Sequence, residues 1–227
     1  MLAGGLGTRL KSVVPDLPKP MAPVSGRPFL EILLTLLSRK GFSRVILSLG
    51  FMADRVVSYF GTRFGSMELA YEIESSPLGT GGALKRALLS CREDHVFVFN
   101  GDTFLDVEIE QVQKLWVAHG DPIVVVVSVP DTARYGRVTL SDDLVVGFEE
   151  KGATGQGFIN AGCYALPVGI FSDADVGQCF SLESDFLKAA VHKRPFRAFV
   201  SSHEFIDIGV PEDYLRAQRE LGERLPK

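Results

Sequence analysis

Along the chain, short apolar runs alternate with longer stretches in which apolar residues recur every three or four positions. Four runs, Val45 to Leu49, Leu69 to Ile73, Val96 to Asn100 and Ile123 to Val129, have the length and side-chain types of strands. The last two are apolar enough to be expected buried on both faces. Between the runs, Phe29 to Lys40, Ala53 to Phe60, Gly82 to Leu89 and Ile109 to His119 carry helical spacing. In the last of these, Ile109, Val112, Leu115 and Trp116 share one face. This alternation predicts βαβ units, hence an α/β fold with a mostly parallel sheet covered on both sides. Ligands of such folds gather at the carboxyl ends of the strands.

After Pro130 the pattern changes. Gly136 to Leu140 and Leu144 to Phe148, joined at Ser141-Asp142-Asp143, read as a hairpin. Phe158 to Leu166 and Phe196 to Val200 read as further strands, with a helix from Leu182 to His192. A final helix opens at Pro211, whose fixed φ suits a first helical position. No linker or repeat interrupts the 227 residues, so one domain is expected, with halves meeting near residue 130 and the second extending the same sheet. A glycine-rich turn normally follows a strand, yet only Met1, Leu2 and Ala3 precede Gly4. The first strand is therefore either very short or stripped of leading residues.

Composition narrows the function classes. Charged residues are 23% of the chain and hydrophobic ones 46%, with a mean hydropathy of +0.16, which excludes a disordered chain. A formal net charge of −4 argues against nucleic acid as a partner. No apolar run approaches the ~18 residues of a membrane span, and no cleavable leader opens the chain, so a cytoplasmic protein is expected. Cys91, Cys163 and Cys179 are odd in number and widely spaced, which fits a reducing compartment and gives neither a disulfide framework nor a thiolate zinc site. The four histidines form no metal-ligand pattern.

Candidate chemistry begins at Leu2-Ala3-Gly4-Gly5-Leu6-Gly7-Thr8-Arg9-Leu10, with three glycines in four residues. Glycine lets backbone N–H groups approach a ligand closely, as in loops that cradle phosphates, although a plain tight turn has the same composition. Neither nucleotide fingerprint fits. Gly5-Leu6-Gly7 would need glycine or alanine at Leu10 for a dinucleotide, and no Gly-Lys-Ser/Thr follows for a P-loop. In Leu17-Pro18-Lys19-Pro20-Met21, the lysine between two prolines is expected in extended backbone with its ammonium aimed, if this is more than a surface turn. The fork of Arg9 and the point charge of Lys19 beside a glycine loop suit a polyphosphate. Asp102 follows the run ending at Asn100, and Asp207 sits between Ile206 and Ile208. A buried carboxylate needs a partner or a metal, and Mg²⁺ takes one or two carboxylates plus phosphate oxygens. A strand-ending turn at Asp102 and a structural role for Asp207 stay open.

Gly4-Gly5-Leu6-Gly7-Thr8-Arg9-Leu10 with Pro18-Lys19-Pro20-Met21 resembles the signature of the sugar-1-phosphate nucleotidyltransferases. Asn100-Gly101-Asp102, Glu149-Glu150-Lys151, Asn160-Ala161-Gly162 and the segment from Asp207 to Tyr214 follow in that family's order. The resemblance implies a Rossmann-like three-layer α/β/α sandwich with a mixed sheet. It also implies that Leu2, Ala3, Gly4, Gly5, Gly7 and Thr8 hold the nucleoside triphosphate. Arg9 would act on its phosphates, Lys19 would bridge the α-phosphate and the incoming sugar phosphate, and Asp102 and Asp207 would hold Mg²⁺. Ser76-Pro77-Leu78-Gly79-Thr80-Gly81-Gly82 matches the loop that reads base and ribose, through Pro77, Gly79 and Thr80. The same stretch would also serve as a turn capping the next helix. On the sugar side, Lys151 would grip the phosphate, Glu150 and Asn160 the hydroxyls, and Gly136 would offer backbone.

Pro77-Leu78-Gly79-Thr80 resembles the guanylyl-transferring members of the family. The compact length and Phe180-Ser181-Leu182-Glu183-Ser184-Asp185-Phe186 look most like the bacterial heptose 1-phosphate guanylyltransferases, which serve capsule or surface-layer glycans. The expected substrates are GTP and D-glycero-α-D-manno-heptose 1-phosphate, and the products GDP-heptose and pyrophosphate. Alternatives are a mannose-1-phosphate guanylyltransferase, another NDP-sugar pyrophosphorylase, and a nucleotide-sugar-sensing regulatory subunit. A sensor would be expected to lose the lysine or a metal aspartate, and all are present. By analogy with relatives the expected assembly is a homodimer.

Overall fold

The computed structural model describes residues 1–5, 7–10 and 13–222, and of Thr8 the backbone alone. Its contacts divide into two units. Met1–Pro77, Asn100–Phe104 and the chain from Ile206 make the first; Leu78–Phe99 and Leu105–Phe205 make the second.

In the first unit, strand pairing ahead of the glycine-rich turn is limited, among the described residues, to isolated bridges at Leu2. Leu2 bridges Ser48 and Asn100, both in parallel. Ser48 N–H donates to Met1 O at 2.9 Å, Ala3 N–H to Ser48 O at 2.8 Å and Gly101 N–H to Leu2 O at 2.8 Å. Helix α1 (Phe29–Arg39) starts directly after Pro28 and buries Leu30, Ile32, Leu33, Leu34 and Leu37. Glu31 in its first turn and Arg39 in its last complement the helix dipole. Strand β1 (Arg44–Leu49), helix α2 (Ala53–Phe60) and strand β2 (Met67–Ile73) form a βαβ unit, with β1 and β2 parallel. The short strands Thr103–Leu105 and Phe205–Asp207 pair, and Ile208 N–H donates to Asp102 O at 2.9 Å. The C-terminal helix Pro211–Glu220 lays Tyr214 and Ala217 on a core that includes Leu10, Val24, Phe29 and Ile206.

The second unit holds α3 (Gly79–Leu88), α4 (Ile109–His119) and a six-stranded sheet. Its strands are β3 (His95–Phe99), β4 (Ile123–Val129), β5 (Val138–Ser141), β6 (Leu144–Phe148), β7 (Gly157–Pro167) and β8 (Arg197–Ser201). The spatial order is β3-β7-β4-β8-β6-β5. β8 is parallel to β4, and β3 shares their direction because β3 and β4 both run antiparallel to β7. The sheet is mixed rather than mostly parallel in its pairing: of its neighbouring strands only β4 and β8 run parallel, with β7 reversed in the interior and the β5–β6 hairpin at one edge. Asp142 makes the hairpin turn at a φ of 53°, which an aspartate tolerates. The β7–β4 register shifts between the Asn160–Val126 and Tyr164–Val124 pairs, a bulge that takes Ala161 to Cys163 out of regular pairing with β4.

Four sequence expectations change. β4 is buried through Val127, but in β3 only Val98 is; Phe97 and Phe99 stay half-exposed, and His95 stacks on Trp116 of α4 at 4.7 Å. Helix α3 begins at Gly79, three residues before the expected Gly82, because Phe180 O accepts the N–H groups of Gly81 at 3.0 Å and Gly82 at 3.3 Å. The expected helix from Leu182 to His192 is a π-helical turn, Leu182–Leu187, followed by a short α turn, Lys188–Ala190. There Leu182 N–H is drawn to Thr80 Oγ1 at 2.8 Å. Lys19 is not extended: Pro18 is, at φ −65° and ψ 144°, and Lys19–Met21 closes a 3-10 turn through Met21 N–H to Pro18 O at 2.7 Å. Pro20 is tolerated because the first helical residues need no internal N–H partner.

Candidate active site

In the first unit, two carboxylates from separate stretches of chain meet at Lys19. Its Nζ donates to Asp102 Oδ2 at 2.5 Å and lies 3.9 Å from Asp207 Oδ1. Three separate stretches of chain supply these groups, and each is aimed by local structure. The 3-10 turn fixes Lys19, and the Gly101 and Ile208 bonds hold the Asn100-Gly101-Asp102 turn. Gly209 N–H donates to Asp207 Oδ1 at 2.7 Å. Gly7 has a φ of 60°, and a β-carbon there would stand 3.0 Å from Lys19 Cβ, so glycine is what lets the loop lie against the lysine. Arg9 is exposed on the next turn, which Leu10 N–H closes onto Gly7 O at 3.0 Å. Ala3 is buried, Leu2 and Gly4 are half-buried, and Gly5 is exposed. Leu6 and the Thr8 side chain fall outside the described residues.

Burial, and then the charge of Asp102, push the Asp207 carboxyl above its usual range, with Lys19 opposing. One cation against two carboxylates leaves a formal charge of −1 among hard oxygen donors. That donor set fits Mg²⁺, which keeps part of its shell for water and phosphate. Among the described residues no group of three or more His, Cys, Asp or Glu could hold a metal.

In the second unit, Thr80 in the first turn of α3 and the strand residue Asn160 belong to one hydrogen-bonded chain. Thr80 Oγ1 donates to Glu183 Oε2 at 3.0 Å, and Tyr164 OH donates to Glu183 Oε1 at 3.0 Å. Asn160 Nδ2 donates to Tyr164 OH at 2.7 Å, while Asn160 Oδ1 accepts Gly162 N–H at 3.0 Å. Gly79, at a φ of 70°, is pressed so closely on Phe180 that a β-carbon would meet its carbonyl oxygen at 2.4 Å. Pro77, at the end of the first unit, is exposed. Gly136 lies against the carbonyl of Glu149, which brings it beside Glu150 and Lys151. Both of those side chains are exposed; Glu150 pairs with Lys188 at 3.1 Å, a surface contact of small energetic weight. Sequence reasoning assigned Glu183 and Tyr164 no role. A glutamate within Phe180 to Phe186 and a tyrosine inside a buried strand were the available signals.

A glycine loop, an aimed lysine and two carboxylates on a mixed α/β fold suit a nucleotidyl-transferring enzyme, and the chain matches the nucleotidyl transferase family over residues 1–224. It belongs to that family. It is 40% identical over 222 residues to a D-glycero-α-D-manno-heptose 1-phosphate guanylyltransferase of Aneurinibacillus thermoaerophilus, covering 97% of this chain and 96% of the relative. To the enzyme of the same name from Campylobacter jejuni it is 42% identical over 215 residues, covering 94% and 95%. The crystal structure of HddC from Yersinia pseudotuberculosis superposes with a TM-score of 0.87 at 40% identity, over 97% of both chains, and has also been solved complexed with GMP-PN.

Proposed function

We propose that this chain transfers GMP from GTP to D-glycero-α-D-manno-heptose 1-phosphate, releasing pyrophosphate and forming GDP-heptose, with Mg²⁺ as cofactor. The observation that carries the chemistry is Lys19 Nζ set 2.5 Å from Asp102 and 3.9 Å from Asp207 beside the glycine loop. Identity of 40–42% over 94–97% of this chain to two heptose 1-phosphate guanylyltransferases supports the choice of base and sugar. The mannose-1-phosphate guanylyltransferase of Mycobacterium tuberculosis is 32% identical, and the chain spans 63% of it.

A phosphate oxygen of the sugar 1-phosphate attacks the α-phosphorus in line; the new P–O bond forms as the bond to the β-phosphate oxygen breaks, and pyrophosphate leaves. The nucleophile is already ionised, so no general base is required. The difficulty is to bring two polyanions together, and positioning with fixed positive charge answers it. Leu2 to Gly5, Gly7 and Thr8 present backbone to the triphosphate, and Arg9 neutralises its phosphates. Lys19 neutralises the α-phosphate and the entering sugar phosphate. Asp102 and Asp207 would hold Mg²⁺, which supplies further charge neutralisation on the phosphates. Pro77, Gly79 and Thr80 shape the seat for the guanosine; Gly136, Glu150, Lys151 and Asn160 hold the sugar 1-phosphate. Biosynthesis of a nucleotide-activated sugar for surface polysaccharide, in the cytoplasm and as a homodimer, is the setting that this reading carries with it.

The test is a matrix of four nucleoside triphosphates against mannose, glucose and heptose 1-phosphates, read by pyrophosphate release. GTP with the heptose phosphate should give the highest kcat/KM. A higher value for any other pair overturns the substrate assignment, and no release from any pair overturns the activity.

A further inference from the structure

Building on the guanylyltransferase reading above, we infer that Glu183 is a positioning residue that couples the two substrate seats of the second unit, with Tyr164 as its relay to Asn160. The geometry is that of a hub. The Glu183 carboxylate accepts three hydroxyls: Thr80 at 3.0 Å, Ser181 at 3.3 Å and Tyr164 at 3.0 Å. Thr80 also accepts Leu182 N–H at 2.8 Å, so its hydroxyl has a partner on each side and one rotamer is favoured. Tyr164 is fully buried, and burial together with the nearby Glu183 keeps its phenol protonated well beyond the ordinary range. Its one proton goes to Glu183, so toward Asn160 it can only accept. That decides the amide orientation: Nδ2 faces Tyr164 at 2.7 Å and Oδ1 faces Gly162 N–H at 3.0 Å. One amide hydrogen and one lone pair remain, with fixed directions, for a sugar hydroxyl. The π-helical turn that carries Glu183 and the β7 bulge between Asn160 and Tyr164 are the local irregularities that make the reach possible.

The coupling predicts a split between substrates. Tyr164→Phe cuts the relay to Asn160 and leaves the Thr80–Glu183 bond, so KM for the sugar 1-phosphate should rise about tenfold, the factor carried by about 1.4 kcal/mol of hydrogen bonding. KM for GTP should stay within about twofold, as no hydrogen bond of Thr80 is lost. Glu183→Gln should raise both KM values, while Glu183→Asp, which keeps the acceptor oxygens, should recover part of both. Steady-state kinetics with each substrate varied, on variants whose unfolding transitions are first shown to be cooperative, provides the readout. A Tyr164→Phe enzyme with unchanged sugar KM, or with both KM values raised equally, overturns the relay. So does a Glu183→Gln enzyme altered toward one substrate only. A wild-type enzyme inactive on every sugar phosphate would instead remove the guanylyltransferase reading itself, and the inference with it.

Discussion

Replacing Lys19 with methionine probes the proposed chemistry most directly. Methionine keeps much of the stem's length, so the contact with the Gly7 loop stays filled while the charge is lost. The lysine side chain is only 10% exposed, with carboxylates at 2.5 Å and 3.9 Å. At the longer distance a unit charge pair is worth up to about 4 kcal/mol in an effective dielectric of 20. Two separable effects follow. Turnover should fall by about 10²–10³, the usual consequence of deleting one fixed group that stabilises transition-state charge, and Lys19→Ala should do the same. Stability should fall by only about 1–2 kcal/mol, because Asp102 and Asp207 are left facing each other but are about one-third exposed and reach water. With Asp102 and Asp207 as the proposed Mg²⁺ ligands, added Mg²⁺ should restore the Tm without restoring kcat. Pyrophosphate release at saturating substrates, measured well below the unfolding transition, separates the two effects. A variant that turns over within about threefold of wild type, when a fixed transition-state charge is worth at least about a hundredfold, would refute the assignment of Lys19 to the chemistry.

Asp207→Asn retains an oxygen for Gly209 N–H but removes one carboxylate charge, so the Mg²⁺ concentration giving half-maximal rate should rise tenfold or more, roughly the lower bound for disturbing a metal's ligand set. An unchanged Mg²⁺ dependence would remove Asp207 from the metal site. For pH, the raised value of the Tyr164 phenol means that the folded chain keeps a proton that the unfolded chain releases above about 10. The associated stability is intact below that pH and is lost as pH rises, at up to about 1.4 kcal/mol per pH unit. Tyr164→Phe should therefore unfold less steeply with pH above 10 in denaturant titrations, and equal slopes would contradict the buried phenol's role.

What was legible in the chain follows the range of the interactions involved. Helices Ala53–Phe60 and Ile109–His119 and strand Ile123–Val129 end where their periodicity ends, because local burial and the following Gly61 and Gly120 decide them. The start of α3 was invisible: three glycines in four residues argue against a helix, and only the carbonyl of Phe180, about a hundred residues away, makes it favourable. The π-helical turn has a similar origin, since Thr80 captures Leu182 N–H across 102 positions. Lys19, Asp102 and Asp207 could be singled out because charged groups among prolines, glycines and isoleucines are conspicuous. That two carboxylates would share one lysine, and that Asn160 would be steered by Glu183 through Tyr164, depends on register and bulge geometry that no local pattern encodes.

The reversed strand of the second unit also bears on how the chain is made. β3 and β4 are complete by residue 129, yet each finds its neighbour in β7, which ends at Pro167. At ribosomal speeds of about 5–20 residues per second, the nascent chain waits roughly 2–8 seconds with two apolar strand edges unzipped. For that interval the valine-rich run from Ile123 to Val127 is the stretch most open to capture by another chain, or to shelter by a chaperone.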